Sequence, residues 1–223
     1  MKTLVVFSGG MDSATLLCHL RAQGHEVSAV GVAYGQRHHR ELEYARRFCQ
    51  ALTIPYQVID LTAIGRLLPG SSQTDLTIPV PHGHYQAETM KTTVVPNRNM
   101  LLLAAAGAVA IAQQCEAVAY GAHAGDHAIY PDCRPTFIQT MREAFLNCDW
   151  KPMQLVVPFQ NWTKGDIVQE GLRLGVPYEL TWTCYDGGEH PCGRCGSCTE
   201  RAEAFQSAGV PDPALIPSVA SIL

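Results

Sequence analysis

The sequence predicts an α/β fold: a doubly wound, mostly parallel sheet with a small C-terminal subdomain built on four cysteines. Three observations lead there. Short apolar runs alternate with helix-spaced segments through the first three quarters of the chain, the pattern of parallel strands joined by crossover helices. The first strand ends in Ser8-Gly9-Gly10, which opens directly into a helix. Four cysteines crowd between Cys184 and Cys198, where the strand–helix rhythm has ceased. The expected division is residues 1–177 for the sheet domain and 178–223 for the cysteine-bearing segment.

The elements follow in order. Residues 4–7 form a first strand and 12–22 a first helix, with Ala14, Leu17 and Leu20 on one face. A second strand spans 27–33, an amphipathic helix 36–52 carries Leu42, Ala45 and Cys49, and a third strand spans 56–61. Residues 62–96 break the rhythm. Pro69, Pro79, Pro81, Pro96 and Gly70-Ser71-Ser72 exclude regular helix over most of that length, so a lid-like segment is expected. Residues 99–114 form a helix apolar on nearly all sides, which predicts burial all round. A strand at 116–120, a helix at 135–146 and a strand at 155–157 follow, then a helix at 164–174 stopped by Gly175 and Pro177.

Composition narrows the function classes. The 223 residues are 47% hydrophobic, enough for a real core and against a disordered chain. Sixteen Lys+Arg against 20 Asp+Glu give a formal charge of −4, which argues against bulk nucleic-acid or anionic-membrane binding. Only 16% of residues are charged, below the usual value of about 25%, which points to extra buried surface such as a subunit interface. Nine cysteines, an odd number with four clustered, do not fit a secreted disulfide framework. The short opening run is no export signal, and residues 100–112 fall short of the roughly 20 that span a bilayer. A soluble cytoplasmic protein is expected.

Residues Phe7-Ser8-Gly9-Gly10-Met11-Asp12-Ser13 sit where a strand hands over to a helix. Glycines there let backbone N–H groups approach an anion, and the helix start adds about half a positive charge. Ser8 and Ser13 can donate further bonds, whereas Asp12 would meet a phosphate only through magnesium. A plain turn capped by Asp12 or Ser13 fits the same residues. Neither G-x-x-x-x-G-K-[ST] nor G-x-G-x-x-G is present after this strand.

The hexapeptide Ser8–Ser13 resembles the pyrophosphate loop of the PP-loop ATP pyrophosphatases, which holds ATP while its α-phosphorus is attacked. Further motifs narrow the resemblance: Tyr34-Gly35-Gln36-Arg37-His38 with Glu41, Val95-Pro96-Asn97-Arg98-Asn99, Gly121, Asp126, Tyr130-Pro131-Asp132-Cys133-Arg134, and Thr183-Cys184-Tyr185. In this order, from residue 2 to about residue 206, they resemble the 7-cyano-7-deazaguanine synthase family of queuosine biosynthesis.

That resemblance implies an ATP- and magnesium-dependent carbon–nitrogen ligase. Its substrates are 7-carboxy-7-deazaguanine and ammonia, joined through an adenylated acid and then an adenylated amide. It further implies residues 7–13 as the ATP loop and a homodimeric assembly. Asp12, Arg98 and Lys164 are implied as catalytic, the last within Lys164-Gly165-Asp166-Ile167. Tyr34, Gln36, Arg98, Asp126, Tyr130 and Asp132 are implied as substrate contacts. Read without the resemblance, Arg98 is a surface ion pair, Lys164 a solvated charge, Asp132 a turn cap and Cys133 a small buried thiol. No glutaminase domain accompanies the chain, so free ammonium or a partner is expected to supply nitrogen.

Cys184, Cys192, Cys195 and Cys198 supply four thiolates, enough to close a tetrahedral zinc site at about 2.3 Å. Pro191, Gly193 and Gly196 permit the sharp turns, and His190 is a spare ligand. Four thiolates leave no position for a catalytic water, so the zinc is read as structural, with an iron–sulfur cluster as the alternative. Two competing functions remain open. A tRNA thiolase of the same superfamily needs an exposed persulfide-forming thiol and a tRNA surface. A zinc-ribbon nucleic-acid module should be basic, whereas residues 184–201 carry Arg194 and Arg201 against Asp186, Glu189 and Glu200.

Overall fold

The computed structural model describes residues 1–84 and 88–215. Residues 85–87 of the expected lid-like segment and 216–223 of the expected C-terminal segment lie outside it. In chain order the main elements are β1 (Lys2–Val6), α1 (Met11–Ala22), β2 (Glu26–Ala33), α2 (Arg40–Ala51), β3 (Tyr56–Asp60), α3 (Thr62–Gly65), α4 (Arg98–Ala112), β4 (Ala117–Ala119), α5 (Pro135–Leu146), β5 (Gln154–Val156), α6 (Lys164–Arg173) and α7 (Gly196–Ser207).

The strands form one sheet in the order β3-β2-β1-β4-β5, every pair parallel, with Val5 opposite Ala29 and Ala119 across β1. Successive residues of each central strand serve opposite faces. Leu4, Val30 and Val118 pack with Leu103 and Ala106 of α4 and Ile138 and Phe145 of α5. Val5, Ala29 and Ala119 pack with Leu16 and Leu17 of α1, Phe48 of α2, Ile167 of α6 and Phe205 of α7. Helices thus cover both faces, which is why β1 reads as an unbroken apolar run. The chain winds outward from β1 to β3 and returns to β4 on the other side. The crevice between β1 and β4 is therefore the topological switch point, the place where open α/β sheets bind ligands.

Three local departures have clear causes. Helix α2 starts at Arg40 rather than residue 36, because Gly35 takes φ +83° and the Gln36 side chain closes a turn. That side chain accepts from Tyr34 N–H and donates to the Val32 carbonyl. Helix α4 is not buried all round: Leu103, Ala106, Gly107 and Ala110 face the core, while Met100, Ala104, Ala108 and Ala112 are exposed. The sheet and α5 cover one side only, and among the described residues nothing lies over the other. The third departure is α7, for which the expected pattern held no helix. Its buried positions, among them Cys198, Arg201 and Phe205, keep helical spacing but are chemically too mixed to read as an apolar stripe.

Residues 62–96 are irregular for most of their length, with α3 at the start and a 3₁₀ turn at Glu88–Thr93. Ser71, Ser72 and Gln73 are buried, and Arg37 ties the segment down by donating to the carbonyls of Asp75 and Ile78 at 3.1 and 2.8 Å. By length and composition alone the stretch Glu88–Ala112 would cross a membrane. It contains Glu88, Lys91 and Arg98, however, and its α4 half packs on the sheet.

Candidate active site and four-cysteine centre

The loop after β1 is shaped by steric necessity. Gly9 has φ +84°, and a side chain there would collide with the Glu41 carbonyl oxygen of α2, so only glycine fits. Gly10 is the N-cap of α1 in extended conformation, which leaves the first N–H groups of the helix pointing at the crevice. Ser8 Oγ accepts from Gly10 N–H and meets Ser13 Oγ, each at 3.3 Å. Phe7 is fully buried against Phe48 and Tyr56 and anchors the loop from beneath. Phe7, Ser8, Gly10, Met11, Asp12 and Ser13 all line one cleft, and Gly9 turns its back to it.

Charge gathers at one end of that cleft. Lys164, the first residue of α6, stands 3.3 Å from Asp12 Oδ2 and is also paired with Glu200 of α7. Burial alone would push the Lys164 pKa down, but Asp12, Glu200 and Asp126 outweigh it and hold the ammonium charged. Its helix is started by a capping box between Thr163 and Asp166, which fixes where Lys164 emerges. His123 lies between two carboxylates, its Nε2 3.8 Å from Asp12 and 3.6 Å from Asp126. Its Nδ1 accepts from Gly125 N–H at 3.1 Å, which places the ring proton on Nε2, facing the acids. Asp12 Oδ1 is buried without a hydrogen-bond partner among the described residues. An orphaned carboxylate oxygen beside a phosphate-type loop fits a magnesium ligand.

The other end is built round Arg98, the first residue of α4. Asn97 before it adopts a left-handed conformation (φ 54°), turning the chain so that the guanidinium enters the cleft. Its neighbours are Tyr34, Tyr185, Tyr130 and Cys133, and among the described residues no carboxylate is in ion-pair contact with it. Burial raises Tyr34 to about 12, so the phenol stays protonated beside it. Glu41 is pushed up to about 7 by burial, against the pull of Gln36 and Arg98. His38 is pushed down to about 3 by burial and then by Arg98, so it is neutral at physiological pH.

The expected site residues divide into two groups. Tyr34, Arg98, Asp126 and Lys164 line the cleft with the loop. Gln36, Tyr130 and Asp132 stand behind its wall. Gln36 braces Tyr34 and Glu41, the Tyr130 hydroxyl bonds Thr93 Oγ1 at 2.8 Å, and Asp132 Oδ2 accepts from Asn99 N–H at the start of α4. Two residues at the charged end went unread in the sequence. His123 follows β4 by four residues, a position at a strand's carboxyl end that could have singled it out. Glu200 carried no signal, because its helix was not apparent.

The sulfurs of Cys184, Cys192, Cys195 and Cys198 all lie within 4.8 Å of one another. Thiolates about 2.3 Å from a tetrahedral ion stand about 3.8 Å apart, and Cys192 and Cys198 are separated by 4.0 Å. Backbone N–H groups of Arg194 and Cys195 point at Cys192 Sγ, and that of Cys192 at Cys184 Sγ, which suits charged sulfur. The donor set fits a metal. The centre adjoins the cleft: Trp182, two residues before Cys184, donates its backbone N–H to the Gly9 carbonyl at 2.8 Å. The described cysteines form no disulfide.

Comparison with known proteins agrees with this geometry. The family described as queuosine biosynthesis protein QueC matches residues 2–209. The 7-cyano-7-deazaguanine synthase of Hahella chejuensis is 53% identical over 98% of this chain and 94% of its own length. Those of Caldicellulosiruptor bescii and Methanoregula boonei are 50% and 51% identical, each over 96% of this chain and 96% and 98% of their own. A loop shaped for phosphates, a cysteine centre beside it and a family match over nearly the whole chain converge on one statement: this chain belongs to the QueC family of queuosine biosynthesis proteins.

Proposed function

We propose that this protein is an ATP-dependent carbon–nitrogen ligase that converts 7-carboxy-7-deazaguanine and ammonia to 7-cyano-7-deazaguanine. The observation that carries this reading, beside family membership, is one cleft with a phosphate-type loop and Lys164 at one end and, at the other, an Arg98 that has no ionic partner among the described residues. A carboxylate is a poor electrophile because oxide is a poor leaving group. Adenylation replaces that oxide by AMP, and a second adenylation, on the amide oxygen, permits loss of water's equivalent to the nitrile.

Each residue then has a physical task. The α1 N-terminus, Ser8 and Ser13 hold the phosphates of ATP, and Lys164 offsets charge on the departing pyrophosphate. Asp12 would hold magnesium through its free oxygen, and the ion, when bound, neutralises phosphate charge. Arg98 clamps the substrate carboxylate, with Tyr34 beside it. Asp126 lines the cleft as a hydrogen-bond acceptor for the substrate. Gln36, Tyr130 and Asp132 act on the substrate by holding these groups in place. The four cysteines hold a structural zinc. We place the protein in the cytoplasm as a homodimer formed through the exposed apolar face of α4, with no nucleic acid as partner. A persulfide chemistry finds no support at Cys133, the cysteine that lines the cleft, because burial raises its thiol well above the ordinary range.

The test is mass spectrometry of 7-carboxy-7-deazaguanine incubated with the protein, ATP, magnesium and ammonium. Amide followed by nitrile is expected, with AMP and pyrophosphate. Absence of both products refutes the proposal.

A further inference from the structure

One carboxylate in the cleft has no task in this scheme. Of the three acids that line it, Asp12 and Asp126 lie within reach of Lys164 or His123. The third, Glu41, sits at the Arg98 end in the first turn of α2. We propose that Glu41 receives the proton of the incoming ammonium and releases ammonia beside the acyl carbon held at Arg98. The inference rests on the ligase reading above.

Three features of the geometry carry it. First, Glu41 is held in one orientation: its Oε1 accepts from Gln36 Nε2 at 2.9 Å, and Gln36 is itself locked to Tyr34 N–H and the Val32 carbonyl. Second, its negative charge is not spent. Its Oε2 lies 3.4 Å from His38 Nε2, and among the described residues no lysine or arginine is in ion-pair contact with it. A side chain 12% exposed and lacking a full counter-charge favours a small cation such as ammonium. Third, the backbone of the same helical turn abuts Gly9, so Glu41 lies between the phosphate loop and Arg98, on the path to an acyl-adenylate spanning the two.

The groups facing Glu41 are Tyr34 at the end of β2, His38 on its own helix side, Tyr56 from β3 and Arg98 from α4. Burial outweighs the Gln36 hydrogen bond and the Arg98 charge and leaves the carboxyl at about 7. A base poised near neutrality can both take and return a proton. The step balances. An N–H bond of ammonium breaks and an O–H bond forms on Glu41. The freed lone pair attacks the acyl carbon, the C–N bond forms, and the C–O bond to AMP breaks with its electron pair leaving on AMP. The second proton, shed by the newly attached nitrogen, passes to water at the cleft mouth.

The experiment compares Glu41→Gln with the unaltered protein, using two nucleophiles and one half-reaction. Hydroxylamine is already a neutral nucleophile at pH 7 and needs no base. With ammonium at pH 7, E41Q should lose about 10²–10⁴-fold in kcat/KM. With hydroxylamine it should form hydroxamate within about threefold of the unaltered rate, a window well under one decade of base catalysis. The unaltered protein should hold its ammonium-dependent activity above about pH 7 and lose it as pH falls through that value, whereas E41Q should lack that inflection and fall steadily with free ammonia across the whole range. Acid-dependent exchange of labelled pyrophosphate into ATP should persist in E41Q, showing that adenylation and fold survive. Equal loss with both nucleophiles, loss of exchange, or full ammonium activity in E41Q each overturns the proposal. If the unaltered protein itself shows no acid-dependent exchange, the ligase reading fails, and the base role with it.

Discussion

Asp12 shows how much one side chain is asked to do. One oxygen faces Lys164 and His123 and the other is buried without a partner among the described residues, the arrangement on which the proposed magnesium role rests. Replacing it by asparagine keeps the shape and removes the charge. Asp12→Asn should cut pyrophosphate release by about 10²–10³-fold, while the thermal unfolding midpoint stays within a few degrees; parallel phosphate assays and calorimetry read both. The place of Asp12 in the cleft was legible because a short motif surrounds it. Asp132 lies in a motif of the same kind beside the cleft, where its carboxylate accepts from Asn99 N–H in the first turn of α4. A side chain's chemistry is visible in sequence, but the direction in which it is spent is not.

At the scale of elements, α7 connects the two centres. It begins directly after Cys195, carries Cys198 in its first turn and Glu200 in the next positions, and Glu200 pairs with Lys164 across the chain. Arg201 on the same helix is buried and bonds Asp212, Thr181, Thr183 and the Tyr178 carbonyl, which steadies the stretch leading to Cys184. Opening the metal centre should therefore be felt at the ATP loop. Cys192→Ser is expected to reduce zinc to a small fraction of one equivalent and weaken ATP binding several-fold, read by metal analysis and equilibrium titration. A structural zinc is worth about 10–16 kcal/mol in finger peptides, so a marked fall in unfolding temperature should accompany it. Unchanged ATP affinity in the zinc-depleted variant would break the proposed link.

For the whole molecule, the charge content of 16% and the exposed face of α4 are the two observations behind the proposed homodimer. Met100, Ala104 and Ala108 form an apolar strip that no other described residue covers. Ala104→Glu adds charge to that strip with a residue that favours helix. It should convert a dimer to a monomer in analytical ultracentrifugation with secondary structure intact. A monomeric unaltered protein would refute the homodimer outright.

The alternation of strands and helices, the glycine loop at residues 8–10 and the four-cysteine centre were determined by the sequence itself. Each is a local signal: a burial period, a backbone conformation open to glycine alone, a ligand spacing. Other features were decided only by the tertiary structure. These include the ion pair of Lys164 with a residue 36 positions away, His123 between two acids, and the face of α4 left bare. These depend on which surfaces meet when the sheet closes. A pattern along the chain records that a residue will be buried or charged, and packing alone selects its partner.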